Sequence, residues 1–98
     1  MSDSLEIGCV KKSGRDNAYE RILSIGGVKP DGETWTMPED VAIDGMKNGR
    51  YRFYINKGGR AIEVIIARSV HGHEYLKTHE DGEEPRNLLR LPDCQKLR

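Results

Sequence analysis

Aromatic residues are scarce: one Trp, one Phe and four Tyr in a chain of 98 residues. So few rings cannot build a core by themselves, and packing must rest on branched aliphatic side chains. Cysteine is nearly missing, with Cys9 and Cys94 alone. That excludes the multi-disulfide frameworks of small secreted domains and the paired CxxC spacing of zinc sites. No apolar run approaches the ~20 residues of a membrane span, and no basic n-region leads into an apolar h-region. These absences predict a cytoplasmic chain that does not enter a membrane, with both thiols reduced rather than joined in a Cys9–Cys94 bridge. Net charge is also lacking, since 16 basic and 16 acidic side chains cancel. No long-range field of one sign therefore singles out nucleic acid as a partner. Repeats and low-complexity segments are absent, and 98 residues leave room for one core and no separate substrate domain.

What is present is unevenly placed. Residues 47–68 carry six basic side chains (Lys47, Arg50, Arg52, Lys57, Arg60 and Arg68) against Glu63 alone, whereas residues 1–46 carry five basic and nine acidic ones. The positive charge is gathered on "NGRYRFYINKGGRAIEVIIARS", residues 48–69.

Hydrophobic periodicity orders the elements. Met1 to Ser4 is polar and reads as a frayed, disordered end. Leu5, Ile7 and Cys9 alternate with Glu6 and Gly8, the period of a half-buried strand. Ser13 to Asn17 has turn chemistry, and "YERILSIGG" returns as a second strand that Gly26-Gly27 should end. "VKPDGETW" is a turn-rich connection. A helix then follows, with Thr36 as N-cap, Glu39 as its capping-box partner, Pro38 and Asp40 in the first turn, and Asn48-Gly49 as the stop. Val41, Ala42 and Met46 form its apolar stripe, and Gly45 weakens its interior by about 1 kcal/mol relative to Ala.

In the basic stretch, Gly58-Gly59 is the two-residue loop of a hairpin. Its register sets Lys57 opposite Arg60, Ile55 opposite Ile62, Phe53 opposite Val64 and Tyr51 opposite Ile66, which makes that face the core. The other face presents Arg50, Arg52 and Tyr54, with Lys57 and Arg60 at the tip. His71-Gly72-His73 is a turn, Tyr75 to Thr78 a last strand, "HEDGEEP" an acidic turn, and Leu88, Leu89 and Leu91 a closing plug. The expectation is one α+β domain over residues 5–94 with a tail at 95–98, ordered β-β-α-β-β-β, about five mostly antiparallel strands and one short helix.

Several marks in this order resemble the small, mainly bacterial domains grouped as Domain of Unknown Function 3892. They are "SIGG" at Ser24 to Gly27, Trp35 followed by "MPEDVAIDGMKNG", the "YRFYINKGGRAIEVIIAR" hairpin, "YLKT", Asp81-Gly82 and "NLLRLPDC". The resemblance runs from about Tyr19 to Cys94. It implies a single compact domain and brings no catalytic residues with it.

Arg50, Arg52, Tyr54, Lys57 and Arg60 are the candidate binding residues, because cations that meet phosphates beside an exposed ring can hold single-stranded nucleic acid. Against this, Arg52 can lie over Ile65 and Tyr54 can pair with Glu63. His71, His73, His79 and Cys94 have metal-ligand atoms without metal-site spacing. Cys9 and Cys94 lack the flanking pattern of a nucleophile. Glu80, Asp81, Glu83 and Glu84 lack the alternation of a calcium loop and read as a solvated turn. The expectation is therefore a non-enzymatic module without catalytic, metal or cofactor residues. It binds protein or itself through the outer hairpin face, where Ile65 and Ala67 await cover by the helix or a second molecule. Nucleic acid is the alternative.

Overall fold

A computed structural model describes residues 3–14, 21–82 and 84–96. Seven strands form two sheets: β1 (Asp3–Glu6), β2 (Cys9–Lys12), β3 (Ile22–Val28), β4 (Thr34–Pro38), β5 (Tyr51–Lys57), β6 (Arg60–Arg68) and β7 (Glu74–Thr78). Helix α1 (Glu39–Lys47) joins β4 to β5, α2 (Arg86–Leu89) follows β7, and a 3₁₀ turn covers Cys94–Lys96. One sheet has the order β1-β5-β6-β7 and the other β2-β3-β4. All pairings are antiparallel except β1 with β5. The α+β class stands, with more strands than the five expected.

The extra strand at the N-terminal end comes from backbone contacts remote in sequence. The expected first strand divides at Gly8: the Ile7 N–H donates to the Tyr54 carbonyl at 2.8 Å and the next N–H, of Gly8, donates to the Gly26 carbonyl at 2.9 Å. Two adjacent donors thus serve two sheets. This crossing needs bare backbone on β3, since a β-carbon on Gly27 would collide with the Glu6 carbonyl oxygen. Gly26-Gly27 therefore does not end the strand; it lies inside β3 and lets β1 pass. Asp3 and Ser4 also belong to β1 rather than to a frayed end. In the expected Ser13 to Asn17 turn, Arg15, Asp16 and Asn17 lie outside the described residues.

Strict alternation along β3 would put Ile22 and Ile25 on opposite faces, yet both are buried. A register shift between Lys11 and Lys12 resolves this, because a bulge in the paired strands re-aims the side chains beyond it. The hairpin of β5 and β6 has the expected pairs Tyr54–Glu63, Ile55–Ile62 and Lys57–Arg60. Gly58 and Gly59 take φ of 61° and 84°, conformations that favour glycine.

The start of α1 differs from the expected capping box. Thr36 sits in β4 opposite Gly26, Pro38 is the N-cap, and no side chain caps the helix. Glu39 points inward, and Ala42, Ile43 and Gly45 are buried while Val41 is 49% exposed. The C-terminal stop at Asn48 and Gly49 is as expected, with Gly49 at φ 74°.

The core lies between the sheets. Val10 and Ile25 come from the three-stranded sheet, Phe53, Ile55, Ile62, Val64 and Leu76 from the four-stranded one, and Ala42 and Leu88 from the helices. Trp35 of β4 stacks on Phe53 of β5 with ring centroids 5.8 Å apart. The leucine plug is realised in Leu88, with no exposed surface, and in partly buried Leu89 and Leu91.

Candidate protein-docking face

Residues in register across a sheet share a face. On the four-stranded sheet, Phe53, Ile55, Ile62 and Leu76 point to the core, so Ser4, Glu6, Arg52, Tyr54, Glu63, Ile65, Ala67, Tyr75 and Lys77 lie on the opposite face, where Tyr75 is nonetheless buried. Arg50, just before β5, has the same parity as Arg52. The five candidate residues therefore divide. Arg50, Arg52 and Tyr54 belong to the outer face, whereas Lys57 and Arg60 share the parity of Ile55 and Ile62 and turn to the other side of the tip.

Their charges are largely answered within the chain. Arg52 Nη2 lies 3.1 Å from Glu63 Oε2, Arg60 Nη2 lies 2.7 Å from Glu80 Oε2, and Lys57 Nζ donates to Asn87 Oδ1 at 3.2 Å. Such exposed pairs contribute only about 0–1 kcal/mol to stability. Their effect here is on recognition, because a cation facing its own carboxylate is a poorer phosphate ligand. Among the described residues, Arg50 is the one cation of the set with no side-chain hydrogen bond or ion pair.

The outer face also carries an apolar strip. Ile65 and Ala67 are half-buried, and Ala67 lies opposite the buried Tyr75. Helix α1 does not supply the cover: it packs against β3, β4, β5 and β7 with Ala42 and Ile43 in the core. A shallow groove of about 390 Å³ beside the strip is lined by Ser4, Arg52, Tyr54, Ala61 and Glu63.

Two sheet edges are already occupied. At β7 the Leu76 N–H donates to Glu39 Oε2 at 3.2 Å, and the Thr78 N–H donates to Asp81 Oδ2 at 2.9 Å. Carboxylates thus take donors that an added strand would need. Glu39 is 8% exposed, and burial pushes its pKa from 4.5 to about 7; the Leu76 hydrogen bond opposes that rise and neighbouring Asp40 adds to it. Asp81 is half-buried rather than part of a solvated acidic turn. It also accepts from Thr78 Oγ1 at 2.9 Å and from the Asn87 N–H at 3.2 Å, which fixes α2 to the end of β7. At β2 the Val10 N–H donates to the Pro92 carbonyl at 3.0 Å, and Val10 and Asp93 form a parallel bridge. On α1 and β7, Glu74 accepts from Lys47 at 2.6 Å, and this hydrogen bond holds its carboxyl below the usual range.

The expectation of two reduced thiols is overturned, for Cys9 and Cys94 are joined by a disulfide. No local pattern announces it, because the two residues are 85 apart in sequence. It lies at the wall of a cleft of about 440 Å³ on the three-stranded sheet, with Lys11, Ser24, Thr34, Trp35, Thr36 and Gln95. Neither sequence periodicity nor motif spacing pointed to a cleft at these residues. His71, His73 and His79 are exposed, and among the described residues no three His, Cys, Asp or Glu side chains are grouped to hold a metal ion. No helix among the described residues is long and apolar enough to cross a membrane.

A family model described as Protein of unknown function (DUF3892) matches residues 6–92. No curated protein and no solved structure matches the chain.

Proposed function

Because the chain belongs to the DUF3892 family of proteins of unknown function, which assigns no activity, we propose a function from its surface: a non-enzymatic interaction module. It docks a protein surface, foremost a second copy of itself, on the outer face of β5 and β6. The carrying observation is the makeup of that face. Half-buried Ile65 and Ala67 share this face with Tyr54, uncovered by α1, among charges of both signs: Glu6 and Glu63 against Arg52 and Lys77. A patch with both signs can complement a copy of itself across a two-fold axis. With Arg52 and Arg60 engaged by carboxylates, nucleic acid becomes the competing outcome.

We propose the cytoplasm as its compartment, where the Cys9–Cys94 bond would meet thiol reductants, and fractionation of cells expressing the tagged chain tests that location. The docking test is sedimentation of the full chain over a hundredfold concentration range, followed by amide-resolved NMR with single-stranded DNA, duplex DNA and RNA. A mass that doubles with concentration, and amide shifts on dilution at Arg52, Tyr54, Ile65 and Ala67, support self-docking. A constant monomer mass overturns it. Salt-sensitive shifts at Arg50 to Tyr54 on adding nucleic acid would install the competing function.

A further inference from the structure

The three-stranded sheet turns Val10 and Ile25 to the core, so Cys9 and its register partners Gly26 and Thr36 face outward. Cys9 is nevertheless only 2% exposed. Its cover is the C-terminal segment, which the Val10–Pro92 hydrogen bond and the Val10–Asp93 bridge align along β2 and the disulfide fastens to the sheet's outer surface. Asp93 Oδ1 accepts the Gln95 N–H at 2.9 Å and shapes the turn that carries Cys94. The result is a strap with one backbone attachment and one covalent attachment.

The cleft beside the strap gives the bond an approach. Lys11 is the one charged residue lining it, and the hydroxyls of Ser24, Thr34 and Thr36, the Gln95 amide and Trp35 offer hydrogen-bond donors. Both cysteines are in the wall, Cys94 the more exposed. Such a lining favours an anion.

We infer that the Cys9–Cys94 disulfide is a thiol-exchange site for a low-molecular-weight thiol bearing a carboxylate, and that exchange unlatches the C-terminal strap from the sheet. The thiolate attacks Cys94 Sγ and forms a new S–S bond there. The Cys9–Cys94 bond breaks, and Cys9 departs with the electron pair as a thiolate that takes up the proton lost by the incoming thiol. A second thiolate attacks the small-molecule sulfur of the mixed disulfide, releasing Cys94 as a thiolate, which is protonated in turn. In sum, two thiols are oxidised to one disulfide while the protein disulfide gains two electrons and two protons. The strap then keeps only its backbone attachment at Val10.

The test uses the intact, oxidised chain without denaturant, treated with glutathione or with uncharged 2-mercaptoethanol and read by intact mass, peptide mapping and amide NMR. The expected result is a glutathione adduct on Cys94 and altered Val10 and Asp93 amides, with the β5 and β6 amides unchanged. Lys11→Glu should slow glutathione at least about threefold through the lost attraction and leave 2-mercaptoethanol unaffected. A bond that opens only in denaturant overturns the exchange site. First attack mapped to Cys9, or loss of the whole folded spectrum on opening, overturns the strap mechanism. Equal effects of Lys11→Glu on both thiols overturn the assignment to an anionic thiol.

Discussion

At the first residue of α1 the carboxylate of Glu39 is turned out of water to receive the Leu76 N–H at 3.2 Å. Burial raises its pKa from 4.5 to about 7. The folded chain therefore holds this proton over a range where the unfolded chain has lost it. Its stability falls as pH rises from about 4.5 to about 7 and then levels. At 1.36 kcal/mol per pKa unit, the loss is on the order of 3 kcal/mol. Glu39→Gln keeps an acceptor for Leu76 and removes the charge. Urea unfolding should show this variant stabilised by on the order of 2 kcal/mol at pH 8 and nearly unchanged at pH 4. Gly45 tests a different balance. Alanine adds about 1 kcal/mol of helix propensity, but its β-carbon would collide with the Tyr51 ring, which is itself packed on Phe53 at 5.7 Å. Overpacking of about 1–3 kcal/mol should win. Gly45→Ala is thus expected to lower the urea midpoint.

At the scale of elements, the turn between β5 and β6 and the join of β7 to α2 rest on few groups. Gly59 sits at φ 84° and donates its N–H to Asn56 Oδ1 at 2.9 Å. Gly59→Val should cost about 1–2 kcal/mol, because a branched side chain resists this backbone region. Thermal unfolding would read it. Gly58→Asn, whose φ of 61° suits Asn, should be nearly neutral. Asp81 alone receives the Thr78 N–H and hydroxyl and the Asn87 N–H. Asp81→Ala should cost about 2–4 kcal/mol through charge-assisted hydrogen bonds lost at a half-buried site. Hydrogen exchange should then quicken first at Thr78 and Asn87, before the β5 and β6 amides.

For the whole molecule, the proposed self-docking predicts which substitutions leave the fold intact and remove association. Arg52→Glu sets a carboxylate beside Glu63, and Ile65→Asp puts charge into the apolar strip. Both should eliminate the concentration dependence of the sedimenting mass while the monomer stays folded by circular dichroism. The disulfide closes a loop across 85 positions, for which chain entropy alone gives stabilisation on the order of 4 kcal/mol. A domain of this size has about 5–15 kcal/mol in total. The reduced chain should remain folded with a lower unfolding midpoint.

Much of the fold was legible because its causes are local. Alternation of Phe53, Ile55, Ile62 and Val64 determined which face of the hairpin is core, and Gly58-Gly59 determined where it turns, since positive φ favours glycine. Asn48-Gly49 set the end of α1 in the same way. Arg52 and Tyr54 were legible as outward-facing for the same reason of period, and so was Tyr54 opposite Glu63, but the diagonal Arg52–Glu63 ion pair was not. Tertiary structure decided what depends on groups remote in sequence. It split the first strand at Gly8, because the Gly26-Gly27 backbone passes there. It drew Glu39 away from the N-cap to an amide 37 residues on, turned Lys57 and Arg60 toward Asn87 and Glu80, and brought Cys94 onto Cys9. Periodicity reports the faces of a single element; the meeting of distant faces is settled only when both sheets close on one core.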